Sequence, residues 1–171
     1  EGGLVTVRPQ GRHRYHALAG AEVAAALEAL MSLSAGKGHL RTRTGPRDAA
    51  LRRARVCYNH LAGETGVAVY GSLLARGLLV LGAAGIAPSA RGRDFFAAFG
   101  VDLPVLEAGR APLCRECLDW SERRFHLAGS LGRAILAHLL AAGWARRDPS
   151  SRAVLFSPEG RRRFARAFPP P

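Results

Sequence analysis

An internal duplication constrains this chain more than any other feature. Aligning residues 60–77 with 126–143 gives ten identities in eighteen positions. His60-Leu61-Ala62-Gly63 recurs as His126-Leu127-Ala128-Gly129, and Gly66/Gly132, Leu73/Leu139, Leu74/Leu140 and Gly77/Gly143 continue the match. Chance in so Ala-, Leu- and Gly-rich a chain would give about two identities, so the two segments are expected to fold alike.

Each copy reads as helix, hairpin, helix. Val69, Tyr70, Leu73 and Leu74 match Ile135, Leu136, Leu139 and Leu140 along an apolar helical face. Gly77 and Gly143 follow, where a left-handed residue closes a helix. A short strand is expected next, at Leu78–Leu81 or Trp144–Arg146, then a turn at Gly82–Gly85 or Asp148–Ser151. A returning strand is clearest at Ala153–Phe156. A last helix carries Phe95/Phe99 in one copy and Phe164/Phe168 in the other. Ser157-Pro158-Glu159 is a good start for it, with a Ser cap, Pro in the first turn and an acid beside the helix N-terminus. Helix–hairpin–helix is the second half of a winged-helix unit.

Upstream of the duplication, 4–7 and 14–18 read as two extended stretches around Arg8-Pro9-Gln10-Gly11-Arg12-His13, a hairpin with a basic tip. A helix is expected over 22–32, where Val23, Leu27, Leu30 and Met31 form one apolar stripe. Residues 35–47 hold Gly, Lys, Arg, Thr and Pro without apolar periodicity and read as a linker. The sequence starts at Glu1 and runs straight into Leu4-Val5-Thr6-Val7, which reads as the middle of a domain and predicts a fragment or processed product.

The 171 residues carry 25 Lys+Arg against 13 Asp+Glu, a net charge of +12. Such a surplus points to a polyanionic partner, but all except Lys37 of these basic residues are arginine, as a GC-rich genome would produce. By segment the charge is +4 over 1–47, +2 over 48–112 and +6 over 113–171. Part therefore sits on the first hairpin and linker, and half on the last copy, where Arg161, Arg162, Arg163 and Arg166 either face DNA or, the favoured reading, solvate one helix face. No run of 18 apolar residues suggests a membrane span. Three cysteines and no secretory leader point to a reducing cytoplasm.

The opening segment, Gly3-Leu4-Val5-Thr6-Val7-Arg8-Pro9-Gln10-Gly11-Arg12-His13-Arg14-Tyr15-His16-Ala17-Leu18, resembles the wing of ArsR-type winged helix-turn-helix transcriptional regulators. The helix after it is similar to that family's C-terminal dimerisation helix. Cys57-Tyr58-Asn59-His60-Leu61-Ala62-Gly63 and Cys117-Leu118-Asp119-Trp120-Ser121-Glu122-Arg123-Arg124 resemble a longer ArsR-related subgroup with an extra C-terminal domain. The resemblance implies that the recognition helix lies upstream of Glu1. It also implies a homodimer on double-stranded DNA, and an extra domain that is a sensor or a further dimer surface. In a wing, Arg8, Arg12, His13 and Arg14 would meet DNA phosphates, which positions the protein without reading sequence.

The expected architecture is α+β, mainly α. It comprises a wing hairpin and dimerisation helix over 1–34, the linker over 35–47, and a C-terminal domain over 48–171. That domain is the duplicated helix–hairpin–helix, with copies at about 60–99 and 126–168.

Cys57-x-x-His60 and Cys114-x-x-Cys117 are two halves with metal-ligand spacing and include every cysteine. Their donors suit a thiophilic divalent ion such as Zn(II) or Cd(II), with His126 a substitute ligand. The recurrence of His60 as His126 without a Cys-x-x-His beside it also fits a structural histidine in both copies. ArsR-like proteins often sense metals, which favours this reading, although the helix at 22–32 lacks the His or Cys of the better-known sensors. Cys57 also reads as a small buried residue, and Cys114/Cys117 as a redox pair, which the lack of a βαβ pattern disfavours. Asp119, Ser121 and Glu122 read as caps and Trp120 as core filler, since no nucleophile or carboxylate pair accompanies them. His138 reads as a helix-face residue. No enzyme signature emerges. The alternative to a DNA-binding regulator is a non-enzymatic effector-binding or interaction module that leaves DNA untouched.

Overall fold

The structure is a computed structural model, described here for residues 2–10, 13–20, 22–23, 26–27, 30, 45–82 and 85–171. The chain divides into two compact units, Glu1–Arg43 and Thr44–Pro171.

In the first unit, β1 (Val5–Gln10) and β2 (His13–Leu18) pair antiparallel from Val5 opposite Leu18 to Gln10 opposite His13. Pro9 is tolerated because a two-stranded ribbon leaves one edge of each strand unpaired. Glu22, Val23, Ala26, Leu27 and Leu30 are helical. Most of the linker predicted at 35–47 lies outside the described residues.

The second unit opens with α1 (Ala49–Arg53), whose first turn is capped by the Asp48 carboxylate accepting from the Ala50 N–H at 2.7 Å. Two similar runs follow. The first is β3 (Arg55–Cys57), β4 (His60–Ala62), α2 (Glu64–Ala75), β5 (Leu79–Gly82), β6 (Gly85–Pro88) and α3 (Ala90–Ala98). After the short α4 (Leu103–Glu107) comes β7 (Arg115–Asp119), β8 (Arg124–Ala128), α5 (Gly129–Ala141), β9 (Ala145–Arg147), β10 (Val154–Phe156) and α6 (Pro158–Ala167). Among the described residues every sheet is a two-stranded antiparallel hairpin. Each repeat is thus hairpin–helix–hairpin–helix, one hairpin longer than the periodicity of the sequence indicates.

Local chemistry repeats with the elements. Gly77 (φ 64°) and Gly143 (φ 69°) are left-handed and close α2 and α5. Leu78 N–H then donates to Leu73 O at 2.8 Å and Trp144 N–H to Leu139 O at 3.0 Å, satisfying helix-end carbonyls in both copies. The Ser89 and Ser157 hydroxyls accept from the Gly92 and Gly160 N–H groups, capping α3 and α6.

The repeats interlock. Helix α2 lies across β8 of the other repeat, and α5 across β4. Val56 N–H donates to Arg152 O and Val154 N–H to Ala54 O, joining the first hairpin of one repeat to the second hairpin of the other. One core results: Leu61, Val69, Tyr70 and Leu73 pack with Leu127, Leu131, Ile135, Leu136 and Leu139. Phe99, His138, Trp144 and Phe168 add an aromatic cluster across the same boundary, with Phe99 and His138 rings 4.4 Å apart.

Candidate metal centre between the two repeats

In β3–β4, a two-residue turn places Cys57 directly opposite His60. In β7–β8, Cys117 stands directly opposite His126. Directly opposed residues on antiparallel strands project from the same face. Each repeat therefore offers one thiol and one imidazole from one side of its first hairpin. The interlocked packing turns the two faces toward each other. His60 Nε2 stands 3.0 Å from His126 Nε2, and all four donor atoms of Cys57, His60, Cys117 and His126 lie within 4.8 Å of one another. Both histidines are buried, and both cysteines are half-buried.

Close helix approach makes room for this cluster. A Cβ at Gly66 would stand 2.5 Å from Leu61 O and 3.6 Å from His126 Cβ, and one at Gly132 would stand 2.3 Å from Leu127 O and 3.5 Å from His60 Cβ. Each glycine lets its helix start tightly against its own hairpin while the other repeat's histidine lies against it.

The electrostatics suit a thiolate. The Cys57 thiol is held well below its ordinary range, first by a hydrogen bond from Cys117 and then by His126 and His60, against a smaller burial penalty. Cys117 is pushed up, first by sharing its proton with Cys57 and then by burial. Behind His126 lies Asp119, whose burial would raise its pKa. Donation from the Gly63 N–H at 2.7 Å and from the Ser121 hydroxyl and the Ser121 and Glu122 N–H groups overrides that and holds it well below the usual carboxylate range. Arg55 pairs with the same carboxylate and also donates to Leu51 O and Ser121 Oγ.

The structure brings together three of the four cysteine and histidine ligands expected from spacing, together with the substitute His126. It leaves Cys114 out. Cys114 packs against the core, where burial and then the Glu107 charge push its thiol up to about 12. Cys114 lies just before β7 (Arg115–Asp119), outside the strand that carries Cys117, and its sulfur is not among the clustered donor atoms. Cys114 precedes Arg115-Glu116-Cys117 as Ala54 precedes Arg55-Val56-Cys57, which makes it the counterpart of a fully buried alanine.

Two further expectations change. Trp120 is 55% exposed rather than core filler, with the Arg55 guanidinium 5.4 Å from its ring centre. Asp119 caps a hairpin turn, accepting from Ser121 and Glu122 N–H, rather than a helix. Of the terminal arginines, Arg162 and Arg163 pair with Glu159 on the exposed face of α6, and Arg161 donates to Phe156 O.

Of the basic hairpin-tip residues, Arg14 is exposed on β2, Arg8 and His13 are placed by backbone alone, and Arg12 lies outside the described residues. Among the described residues, no helix is long and apolar enough to cross a membrane.

No protein-family profile matches this chain, and no solved structure does. A curated relative does match: an uncharacterized HTH-type transcriptional regulator of Bacillus subtilis, YdfF. It is 34% identical over 164 residues, which span 96% of this chain and 73% of the relative. At that identity and coverage, the chain belongs to the HTH-type transcriptional regulators.

Proposed function

We propose that this protein is a DNA-binding transcriptional regulator of ArsR type, acting as a homodimer whose second unit responds to an effector. The observation that carries this reading is the basic hairpin β1–β2 followed by helical residues, in a chain related to an HTH-type regulator. In it the hairpin is the wing of a winged helix-turn-helix, with Arg8, Arg12, His13 and Arg14 on the phosphate backbone. Leu27 and Leu30, 42% and 62% exposed on the helix that follows, are the side chains a second copy would cover, which supports the dimer. Such a regulator works in the cytoplasm and needs no catalytic group.

The effector is a metal ion or a small molecule, and the clustered donors of Cys57, His60, Cys117 and His126 favour a thiophilic divalent ion such as Zn(II) or Cd(II). An effector that binds one arrangement of the second unit better than another shifts the DNA-binding equilibrium by that difference in affinity. The test is a gel shift of the full protein on the DNA upstream of its own gene, with chelator and with added Zn(II) or Cd(II). Retarded DNA that changes with metal is expected. No retardation under either condition overturns this reading in favour of an effector-binding module that does not touch DNA.

A further inference from the structure

We propose that a single divalent thiophilic ion ties the two repeats together, each repeat supplying one cross-strand Cys–His pair, with Asp119 orienting His126 from behind. The regulatory consequence rests on the function proposed above; the site itself stands on the geometry.

The first support is donor placement. Tetrahedral Zn(II), with bonds of about 2.0 Å to nitrogen and about 2.3 Å to sulfur, has donor–donor edges of about 3.3–3.8 Å. The two histidine nitrogens are 3.0 Å apart and no donor pair exceeds 4.8 Å. Rotamer shifts of about 1 Å therefore complete the shell. Two thiolates neutralise the ion's charge, so the site adds no net charge to the interior.

A second support comes from the outer ring nitrogens. His60 Nδ1 lies 3.3 Å from Asn59 Oδ1. An amide oxygen only accepts, so this contact puts the proton on Nδ1 and leaves a lone pair on Nε2. His126 Nδ1 is buried without a hydrogen-bond partner and stands 3.9 Å from Asp119 Oδ2. A proton there faces that carboxylate and leaves Nε2 its lone pair. Two lone pairs aimed at each other across 3.0 Å repel unless a cation lies between them. A shared proton would relieve the nitrogens but would leave two thiols in the same cluster without a role. Carboxylate behind histidine behind metal is the usual way such a ligand is held in its tautomer.

The alternative use of the cluster is a disulfide between Cys57 and Cys117, which would leave the facing imidazoles unexplained. With four protein ligands the centre has no open position, so it is a tie or a sensor rather than a hydrolytic site. Its placement ties the repeats together, since the pairs sit on the hairpins that the opposite repeats' helices cross, and lets the ion's binding be sensed across them.

The test titrates chelator-stripped, reduced full protein with Cd(II), following the thiolate-to-metal charge-transfer band, and with Zn(II) by competition. One ion per chain is expected, with binding lost in Cys57→Ser, Cys117→Ser and His126→Ala and unchanged in Cys114→Ser. Zinc-edge absorption of the wild-type protein should show two sulfur and two nitrogen neighbours, a measurement independent of whether any variant folds. Asp119→Asn should weaken binding about 10- to 100-fold. In the Zn(II)-bound protein it should remove the slowly exchanging His126 Nδ1–H proton signal, which a merely structural role would not move. No uptake at one equivalent, a shell containing Cys114, or a Cys57–Cys117 disulfide forming in air in the presence of Zn(II) overturns the proposal. DNA retardation without metal uptake overturns the centre and leaves the regulator. Uptake at these four ligands with unchanged DNA affinity supports the centre and overturns its regulatory role.

Discussion

Arg55 and Asp119 pair at 2.5 Å between the two repeats, with side chains 2% and 0% exposed. Arg55 starts the first hairpin of one repeat and Asp119 ends the first strand of the other. Removing water from both charges is costly, and removing one partner leaves the other charge buried without compensation. Arg55→Ala should therefore destabilise the second unit by about 3–5 kcal/mol, read from urea unfolding. Replacing both residues with apolar side chains of similar volume should lose much less than the two single changes added together. A near-zero loss for Arg55→Ala would mean that the pair is hydrated in solution.

Gly66 and Gly132 should both resist substitution despite lying in helices, where alanine is ordinarily better by about 1 kcal/mol. At each, the new Cβ would press on a backbone carbonyl, at 2.5 Å and 2.3 Å. Carbonyls cannot rotate away as a side chain can, so Gly66→Ala and Gly132→Ala should each cost about 1–3 kcal/mol or more. Gly71 is the internal control: it sits in α2, and a Cβ there would meet nothing within 4 Å. Gly71→Ala should raise stability by about 0.5–1 kcal/mol. Thermal melts of the three variants check the contrast, and equal effects at all three positions would contradict it.

Cys57 has a lowered thiol pKa, and Cys114 should behave differently. Its folded pKa, pushed from 9.0 to about 12 by burial and then by Glu107, lies above the unfolded value. An acid whose folded pKa is raised contributes full stability below the unfolded pKa and loses it as pH rises toward the folded one. Cys114→Ala, which copies its counterpart Ala54, should remove that part of the stability loss between about pH 9 and 12. Comparing urea midpoints of wild type and variant across this window tests the sign. At neutral pH the Cys114 thiol should also alkylate slowly in folded protein, as mass spectrometry of labelled peptides would show.

What is legible in the sequence follows from the range of the interactions involved. Ser157, Pro158, Gly77 and Gly143 act within a few residues of themselves, so composition and spacing locate their helix ends. The first hairpin of each repeat is not legible in this way. β3 and β4 are three residues each and wholly or largely buried, which leaves no alternation to read. The turn between them is two residues long, whereas eight residues separate Cys117 from His126. The duplication is therefore displaced by 60 residues at Arg-x-Cys (Arg55/Cys57 against Arg115/Cys117) and by 66 at His-Leu-Ala-Gly. A single-offset alignment puts Arg123 opposite Cys57 and hides Cys117. The repeated Arg-x-Cys triplet is the available signal, and only strand register turns it into a site. Asp119 is visible as an acid, but its burial depends on Arg55 and Gly63, which lie 64 and 56 residues away.

The basic hairpin gives the last prediction. If β1–β2 lies along DNA, its guanidinium groups displace condensed counterions from phosphates, and the salt dependence of binding counts them. Arg14 is exposed on β2. Arg12→Ala and Arg14→Ala in the full protein should each lower the slope of log affinity against log salt by about 1. The loss should be nearly equal on specific and unrelated duplexes, because phosphate contacts carry no base information. The same substitutions should leave Cd(II) uptake by the second unit unchanged, since its ligands come from β3, β4, β7 and β8. Fluorescence anisotropy at three or more salt concentrations measures the slope. An unaltered slope in both variants would remove the hairpin from the DNA interface, and a loss confined to one sequence would make it a base reader rather than a clamp on the backbone.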